Sequence, residues 1–310
     1  MSKETLDQRR LVLNIHPTRF TRFARKLKWF FFVYLGRPKV CEILTKNGLL
    51  KFWSKDKTTG RILHVYRNHE YEEIKNIHAE LVRLGKLTPE KSTVLDVGGY
   101  IGMSSTAFLI EGLFECAYVF EPCPRNFELL KTNTSLNSLT NRLLPFNVAL
   151  SDKSGFLEFE LSEKNYGDNR VRKCGDQDLG AFGEAGREVI KVPATTLDDF
   201  LAKHTELNEK SIGLVWMDIQ GHEPSFLQGA VSFLQRNPGT PIFMEFWPYG
   251  MRRSQENLKP FFDLCSREFH SFSCGTRYRP IDELSNFFND LEFEAKKKRD
   301  PGWGAQILMI

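Results

Sequence analysis

Apolar residues recur along the chain in two alternating patterns from about residue 93 onward. Short runs of consecutive apolar residues, typical of strands buried on both faces, are separated by segments with helical spacing. The predicted strands are Thr93–Val97, Cys116–Phe120, Leu143–Val148, Ile212–Met217, Ile242–Phe246 and Gln306–Ile310. The predicted helices are Met103–Glu111, a helix from Pro124 through Leu130, Leu197–Lys203, Pro224–Gln235 and Glu256–Phe269. Strands that alternate with helices predict an α/β fold with a mostly parallel sheet.

Two other stretches depart from this alternation. Before residue 93, short apolar runs predict a small β meander, and Glu70–Leu84 has the spacing of a helix. The runs of the meander are Cys41–Thr45, Leu49–Trp53 and Ile62–Tyr66. Later, Phe156–Leu161 and Val189–Val192 are predicted strands that flank a Gly-rich insertion. We therefore divide the chain into a segment 1–40, a meander with its helix at 41–90, and a main domain at 91–310.

Charge is concentrated at the start of the chain. Residues 1–40 contain ten Lys or Arg but only Glu4 and Asp7 as acids, although the whole chain has a net charge of +4. The apolar run Trp29–Leu35 that follows is far shorter than the roughly 20 residues that span a bilayer. We expect a helix that packs its aromatic face on the main domain. Peripheral contact with an anionic membrane surface or an acidic partner stays open as the alternative.

Two residue types narrow the class of protein further. The 26 phenylalanines predict a large aromatic core. The six cysteines form no CxxC pair and have no His partner at zinc spacing, so no metal site is expected. Reduced, unpaired thiols are typical of a cytoplasmic protein, which is the location that we predict.

The end of the strand Thr93–Val97 carries the strongest chemical signal. Asp96 is followed by glycines at 98 and 102, after which a helix begins. Glycine lets the backbone approach a ligand closely, and the helix N-terminus favours a carboxylate. Dinucleotide enzymes need glycines at the first, third and sixth places, where this chain has Gly98, Tyr100 and Met103. The spacing D-x-G-x-x-x-G instead predicts an S-adenosylmethionine site, and it argues against an NAD-linked dehydrogenase.

The next strand supports this prediction. Glu121 follows Phe120, at the end of the strand and 19 residues after Gly102. A carboxylate at that place can accept hydrogen bonds from both ribose hydroxyls of an adenosine. We therefore predict that Glu121 binds the cofactor.

The chain resembles the FkbM family of methyltransferases over about residues 70–247. The matching segments are Leu95–Gly102, Phe120–Phe127, Asn147–Asp152, Thr196–Phe200 and Trp216–Glu223, followed by Met244–Phe246. The resemblance implies a class I, Rossmann-like sheet of seven strands with helices on both faces. It also implies S-adenosyl-L-methionine as cofactor and O-methylation of a hydroxyl on a small molecule or glycan. The expected cofactor-binding residues are Asp96, Gly98, Gly99, Tyr100, Gly102, Glu121, Pro122, Asn126, Ala149, Leu150, Ser151 and Asp218.

Two positions depart from the family's pattern. Tyr100 stands where the family often has Asn, so the loop is expected to differ near the methionine end of the cofactor. Gln220 stands where the family commonly has Glu, and an amide cannot act as a base. A protein that binds the cofactor without turnover therefore remains an alternative.

Candidate catalytic residues follow two of the strands. Ligands of open α/β sheets bind beyond the carboxyl ends of the strands, where Asp218, His222 and Glu245 are expected. His222 titrates in the useful range and is the first choice as general base, although it could instead cap the following helix. Asp218 could orient the acceptor or contact the cofactor, and Glu245 could face the same cleft. By analogy with the family, the insertion at Asn165–Arg170 is expected to cover the acceptor site.

The nature of the acceptor is less constrained. The basic N-terminus suggests a nucleic acid, but the Asn/Asp-Pro-Pro-Tyr pattern of base-flipping enzymes does not follow the strand Ile212–Met217. We therefore predict a small-molecule or glycan acceptor, with a macromolecular acceptor as the alternative. The oligomeric state does not follow from the sequence.

Overall fold

The computed structural model describes residues 18–36, 39–172, 180–255 and 257–310. Residues 1–17 of the basic segment, Cys174 and Glu256 lie outside these ranges. Within them the five other cysteines are free thiols. No helix of the described residues is long and apolar enough to cross a bilayer.

A large mixed sheet forms the centre of the molecule. The strands are β1 (Val40–Thr45), β2 (Gly48–Trp53), β3 (Thr93–Val97), β4 (Cys116–Phe120), β5 (Leu143–Phe146), β6 (Ala149–Leu150), β7 (Gly155–Leu161), β8 (Arg170–Val171), β9 (Glu188–Thr195), β10 (Ile212–Met217), β11 (Ile242–Phe246), β12 (Ser271–Cys274), β13 (Arg277–Pro280) and β14 (Ala305–Met309). The sheet has the order β13-β12-β14-β11-β10-β3-β4-β5. The five strands from β11 to β5 are parallel, and β14, β12 and β13 pair in antiparallel fashion. This arrangement confirms the α/β fold and adds β13 as an eighth strand at the edge.

Helices cover both faces of this sheet. They are α1 (Arg19–Phe30), α2 (Thr59–Tyr66), α3 (Tyr71–Arg83), α4 (Met103–Ile110), α5 (Pro124–Leu136), α6 (Leu197–Lys203), α7 (Glu223–Gln228), α8 (Val231–Arg236), α9 (Pro248–Ser254), α10 (Lys259–Glu268) and α11 (Leu284–Lys298). Successive residues of a strand point to opposite faces, so Val94 and Leu95 belong to two different hydrophobic clusters. The consecutive apolar residues of β3 are therefore explained by burial on both faces.

The structure corrects two predicted elements. Ile62–Tyr66 is not a strand but the end of helix α2, in which Leu63 and Val65 are buried. A run this short fits either period, and here packing against α1 selects the helix. The predicted helix Pro224–Gln235 is two helices, α7 and α8, because the chain leaves helical geometry at Gly229 and Ala230 between them.

Helix α5 fastens the N-terminal hairpin to the sheet. Asn137 accepts a hydrogen bond from the Leu49 amide at 2.9 Å and donates to its carbonyl at 2.8 Å. Asn133, one turn earlier, does the same with Lys51 at 2.6 Å and 3.1 Å. The two side-chain amides thus bond the free edge of β2 as a neighbouring strand would. This contact holds the hairpin and α2 beside the loop that follows β3.

A second, smaller sheet is formed by the chain between β5 and α6. Its order is β6-β9-β7-β8. The predicted strands around the insertion are confirmed as β7 and β9, which pair in antiparallel register from Gly155 to Leu161. This sheet brings Tyr166, Gly167 and Asn169 over the carboxyl ends of β3 and β4.

Candidate functional site

The loop after β3 lies at the point where the strand order reverses, because β4 and β10 flank β3 on opposite sides. The amides of Gly98 and Gly99 both donate to the Phe120 carbonyl at 3.0 Å. Gly98 has a φ of +92°, and a Cβ there would lie 2.0 Å from the Asp218 carbonyl oxygen. The glycine therefore permits the loops after β3 and β10 to lie in contact.

Glu121, at the end of β4, is buried with its carboxylate against this loop. Its two oxygens accept the amides of Tyr100 at 2.9 Å and Cys123 at 2.8 Å. Burial raises the pKa of Glu121 to about 8, and the two amide hydrogen bonds oppose that shift. A carboxylate has about four acceptor positions, so it can still accept two hydroxyls. Glu121 therefore suits the ribose of an adenosine, and its role in binding the cofactor stays a prediction.

An apolar cavity continues from Glu121 along the sheet edge. Its described lining includes Leu150 and Phe159, which offer flat apolar contact to a planar ring. Asn126 Oδ1 and Asn169 Nδ2 are buried there without a hydrogen-bond partner among the described residues. Buried polar atoms are normally paired, so one free acceptor and one free donor point to a polar ligand. An adenine ring, which presents donors and acceptors on its edge, fits this cavity.

On the other side of the loop lies a cavity of ≈ 190 Å³ that is rich in carboxylates. Glu70, Asp96 and Asp218 line it. Burial first, and the other two carboxylates second, raise the pKa of Asp96 to about 7. The pKa of Asp218 is raised to about 6, mainly by burial and then by the charge of Glu70. Crowded carboxylates favour a cationic ligand, and S-adenosylmethionine carries a sulfonium and an ammonium group. The residues present therefore fit this cofactor.

This electrostatic match predicts how cofactor affinity depends on pH. A cation favours the ionised form of Asp96 and Asp218, so its binding lowers their raised pKa values. The affinity for S-adenosylmethionine relative to S-adenosylhomocysteine, which lacks the sulfonium charge, should therefore rise between about pH 5 and about pH 8. For each unit by which the bound cation lowers one of these pKa values, the affinity for S-adenosylmethionine increases about tenfold across this pH range. Calorimetric titrations of both ligands across this range measure the ratio, and a constant ratio would contradict the expectation.

Tyr100 connects this loop to the N-terminal part of the chain. Its ring is buried with Phe52, Leu63 and other apolar residues of that part. Its hydroxyl donates a hydrogen bond to Asp56, which is fully buried. The Tyr that replaces the family's usual Asn therefore joins the cofactor loop to the hairpin and α2, while it still lines both cavities beside the loop.

We expect Tyr100→Phe to destabilise the protein by about 1–3 kcal/mol, because Asp56 loses a donor while it remains buried. Denaturant unfolding measures the change in the free energy of unfolding. Tyr66→Phe is the matched control, since Tyr66 is 42% exposed and should change stability by less than about 0.5 kcal/mol. Equal stability of the two variants would count against a structural role for the Tyr100 hydroxyl.

Asp218 and Glu245, two of the predicted catalytic residues, lie beside one another at the carboxyl ends of β10 and β11. Gln220 joins them, since its Nε2 donates to Asp218 Oδ1 at 2.6 Å and to Glu245 Oε2 at 3.2 Å. Burial, followed by the charge of Asp218, raises the pKa of Glu245 well above its usual value. One neutral amide thus holds two carboxylates whose affinity for protons is raised.

His222 lies on a different side of the site. It lines the apolar cavity and is not among the described residues of the cavity beside Glu245. Its Nε2 is 2.9 Å from the Ser151 hydroxyl, and its Nδ1 is 3.4 Å from that of Ser254. Burial lowers the pKa of His222 to about 4, so the ring is neutral at pH 7. Its role as general base stays a prediction, and its surroundings favour a positioning role.

The apolar cavity beside Glu121 and the carboxylate-rich cavity are together called the cofactor cavities. Ten of the predicted cofactor-binding residues line one or both of them. They are Asp96, Gly98, Gly99, Tyr100, Glu121, Pro122, Asn126, Ala149, Leu150 and Asp218. The other two support the lining from behind. Gly102 is the N-cap of α4, with a φ of +81°, and a Cβ there would lie 2.6 Å from Leu130. Ser151 is fully buried against His222.

Several lining residues were not predicted from the sequence. Thr59, His69 and Glu70 come from the segment before β3. Asn169 belongs to the insertion that was expected over the acceptor site, and it lines the apolar cavity beside Glu121. Glu70 has a left-handed φ of +54° at the start of α3, and His69 Nδ1 lies 3.4 Å from its Oε1. The only local signal was the position of His69 and Glu70 at the start of the predicted helix Glu70–Leu84.

A third cavity, of ≈ 800 Å³, opens beside Gln220 and Glu245. Phe182 and Trp247 lie on its wall, with their ring centroids 5.6 Å apart. Arg170 also lines it, but this guanidinium is paired with Glu184 at 3.2 Å and with Asp168. Arg170 is therefore neutralised by the protein's own carboxylates.

Comparisons with known proteins show similarity to methyltransferases. Residues 96–271 match the family model of the methyltransferase FkbM domain. The 2-O-methyltransferase NoeI of Sinorhizobium fredii (strain NBRC 101917 / NGR234) is 26% identical over 200 residues, which are 61% of this chain and 76% of NoeI.

Solved structures are similar at a lower level. The methyltransferase FkbM from Methylobacillus flagellatus KT has a TM-score of 0.43 and 15% identity, over 81% of this chain and 52% of that one. The chain thus spans about half the length of that protein. The O-methyltransferase from Bacillus cereus in complex with SAH has a TM-score of 0.36 and 11% identity, over 80% and 93% of the two chains. These TM-scores are low, and the assignment rests on the match over residues 96–271.

Proposed function

Because the chain belongs to the FkbM family of S-adenosylmethionine-dependent methyltransferases, we propose that it methylates a hydroxyl oxygen of a small molecule or glycan. The third cavity, beside Gln220 and Glu245, is called the acceptor cavity. The observation that carries this proposal is that Gln220 joins two carboxylates, Asp218 and Glu245, between the cofactor cavities and the acceptor cavity. The relative NoeI is a 2-O-methyltransferase, which supports oxygen as the methyl acceptor.

The cavity beside Glu245 supports a hydroxyl-rich acceptor. Its aromatic wall, Phe182 and Trp247, offers flat apolar surface, and Ser162 and Asn165 add hydrogen-bonding groups. A few polar groups set into apolar walls fix the orientation of a ligand. Sugars and similar polyols combine apolar C–H faces with hydroxyls, so they match such a lining.

The proposed division of labour follows from which cavity each carboxylate lines. Asp218 lines both cofactor cavities, and we assign it to the cationic end of the cofactor. Glu245 lines only the acceptor cavity among these three, and we assign it as the base that takes the acceptor's proton. Bound S-adenosylmethionine supplies an electrophilic methyl group. The chain's residues orient the acceptor hydroxyl, exclude water and hold the released proton on Glu245.

Gln220 keeps this pair functional by donating to both carboxylates without adding charge. We expect Gln220→Glu to raise the pKa values of Asp218 and Glu245 further, since three carboxylates would lie within hydrogen-bonding distance. A base with a higher pKa is protonated up to a higher pH, so the rising limb of the pH–rate profile should shift to higher pH. Gln235→Glu, on an exposed position of α8, should leave the profile unchanged. An unmoved limb in Gln220→Glu would contradict the bridging role.

The function is tested by supplying S-adenosylmethionine with a ¹³C-labelled methyl group and a panel of sugars, polyols and phenols. We expect the label to appear as a methoxy carbon in the NMR spectrum of the product, and to survive mild alkali, as an ether does and an ester does not. Label on nitrogen or in an alkali-labile ester would refute O-methylation of a hydroxyl. Transfer to protein or nucleic acid alone would favour a macromolecular acceptor, and cofactor binding without any transfer would favour a non-catalytic protein.

A further inference from the structure

Helix α1 presents an apolar face to solvent. Five large apolar side chains are exposed there, each by about half or more of its surface. They are Phe20 (80%), Phe23 (64%), Leu27 (49%), Phe30 (51%) and Phe31 (51%). At about 100° of rotation per residue the four that belong to α1 occupy one arc of roughly 80° around the helix, and Phe31 follows directly after its last residue. Such a contiguous exposed surface is unusual on a soluble protein and marks a site of interaction.

The opposite side of the same helix is fixed to the body of the protein. Trp29 is buried, with its ring 5.3 Å from that of His64 and 6.2 Å from that of Phe52. The guanidinium of Arg25 donates to the Val65 carbonyl at 3.1 Å. These contacts hold the helix in one orientation, so the apolar face points outward as part of the fold.

The charges beside this face select its occupant. Helix α1 contains three Arg and two Lys but no Asp or Glu, and Arg19 and Lys26 border the apolar arc on one side and Lys28 on the other. A helix with an aromatic face between rows of cations is suited to the boundary between acyl chains and anionic headgroups. A symmetric contact with a second copy would bring equal positive charges together, which is unfavourable.

From this arrangement we propose that α1 docks the protein on the surface of an anionic lipid bilayer. Phe20, Phe23 and Leu27 enter the headgroup region, and the flanking cations contact lipid phosphates and carboxylates. The inference is independent of the proposed methyl acceptor, because it rests on α1 and not on the cavities that are proposed to bind cofactor and acceptor.

Flotation of the full chain with lipid vesicles tests the proposal. We expect binding to vesicles of phosphatidylcholine with phosphatidylserine, weak binding to phosphatidylcholine alone, and loss of binding as salt is raised. The double variant Phe23→Ser/Leu27→Ser should bind anionic vesicles at least about tenfold more weakly, since it removes two apolar side chains from the contact. The matched control is Phe156→Ser/Phe293→Ser, which alters side chains that are 75% and 65% exposed elsewhere.

The outcomes are separable because the altered residues are exposed and both variants should melt like the wild type. Equal vesicle binding by both double variants, or equal binding to neutral and anionic vesicles, would overturn the proposal. Light scattering checks the alternative occupant. A dimer of the wild type that only the α1 variant loses, without binding to vesicles, would assign the face to a second copy and also overturn it.

Discussion

Glu245→Gln is expected to lower kcat by about 10²- to 10⁴-fold, the usual contribution of a positioned base. The substitution keeps the shape of the side chain and removes its ability to accept a proton. Glu245 does not line either cofactor cavity among the described residues, so the affinity for S-adenosylhomocysteine should change little. A loss in kcat with unchanged product affinity is the expected signature, measured by initial rates and by calorimetry.

The same assignment sets the pH dependence of the reaction. The pKa of Glu245 is raised because it is buried and lies beside Asp218, so the base is protonated at low pH. Activity should rise with pH to a plateau. The pH of half-maximal activity should lie well above the ordinary pKa of a glutamate. Glu128→Gln, an exposed change on α5, is the control and should retain wild-type rates. If Glu245→Gln kept its activity while Asp218→Asn lost it, the base would be Asp218.

Gly98→Ala is expected to abolish cofactor binding, with at least about a hundredfold weaker affinity for S-adenosylhomocysteine. The new Cβ would lie 2.0 Å from the Asp218 carbonyl oxygen and 3.0 Å from Ile219 Cγ2, and φ is +92°. Backbone atoms cannot rotate away as a side chain can, so the loops after β3 and β10 must separate. That separation would disrupt both cofactor cavities, because Gly98 and Asp218 line each of them.

Gly112→Ala is the control variant, because it introduces the strain of a positive φ without a clash. Gly112 also has a positive φ, of +70°, but a Cβ there would meet nothing within 4 Å. We expect a loss of roughly 1–2 kcal/mol in stability and unchanged cofactor binding. Thermal unfolding and calorimetry of both variants provide the comparison. A Gly98→Ala protein that binds the ligand within threefold of wild type would contradict the close approach of the two loops.

The positions of the loop after β3 and of Glu121 beside it could be predicted from the sequence because their signals are local. A strand end, glycines at 98 and 102, and an acid at the next strand end each follow from a few adjacent residues. The structure brings them together at the reversal of the strand order, as parallel strands require. The parallel core of the sheet was predictable for the same reason, since each of its strands is a short run of buried apolar residues.

Other parts of the site depend on contacts between distant segments and left no local pattern. Glu70 lines the cofactor cavity from a segment that follows the hairpin, which Asn133 and Asn137 hold against α5. The sequence also did not show which of the catalytic candidates is best suited to act as the general base. His222 has the suitable intrinsic pKa, but burial lowers it to about 4, whereas neighbouring charge and burial raise that of Glu245.

Calorimetric titration with S-adenosylhomocysteine tests the cofactor site most directly, and the rest of the account depends on that site. We predict one-to-one binding by the wild type, binding at least about tenfold weaker in Glu121→Ala because the hydrogen-bond acceptor for the ribose hydroxyls is lost, and no binding of NAD. A folded wild-type protein that fails to bind, or one that binds NAD in its place, would contradict the assignment of this crevice to S-adenosylmethionine.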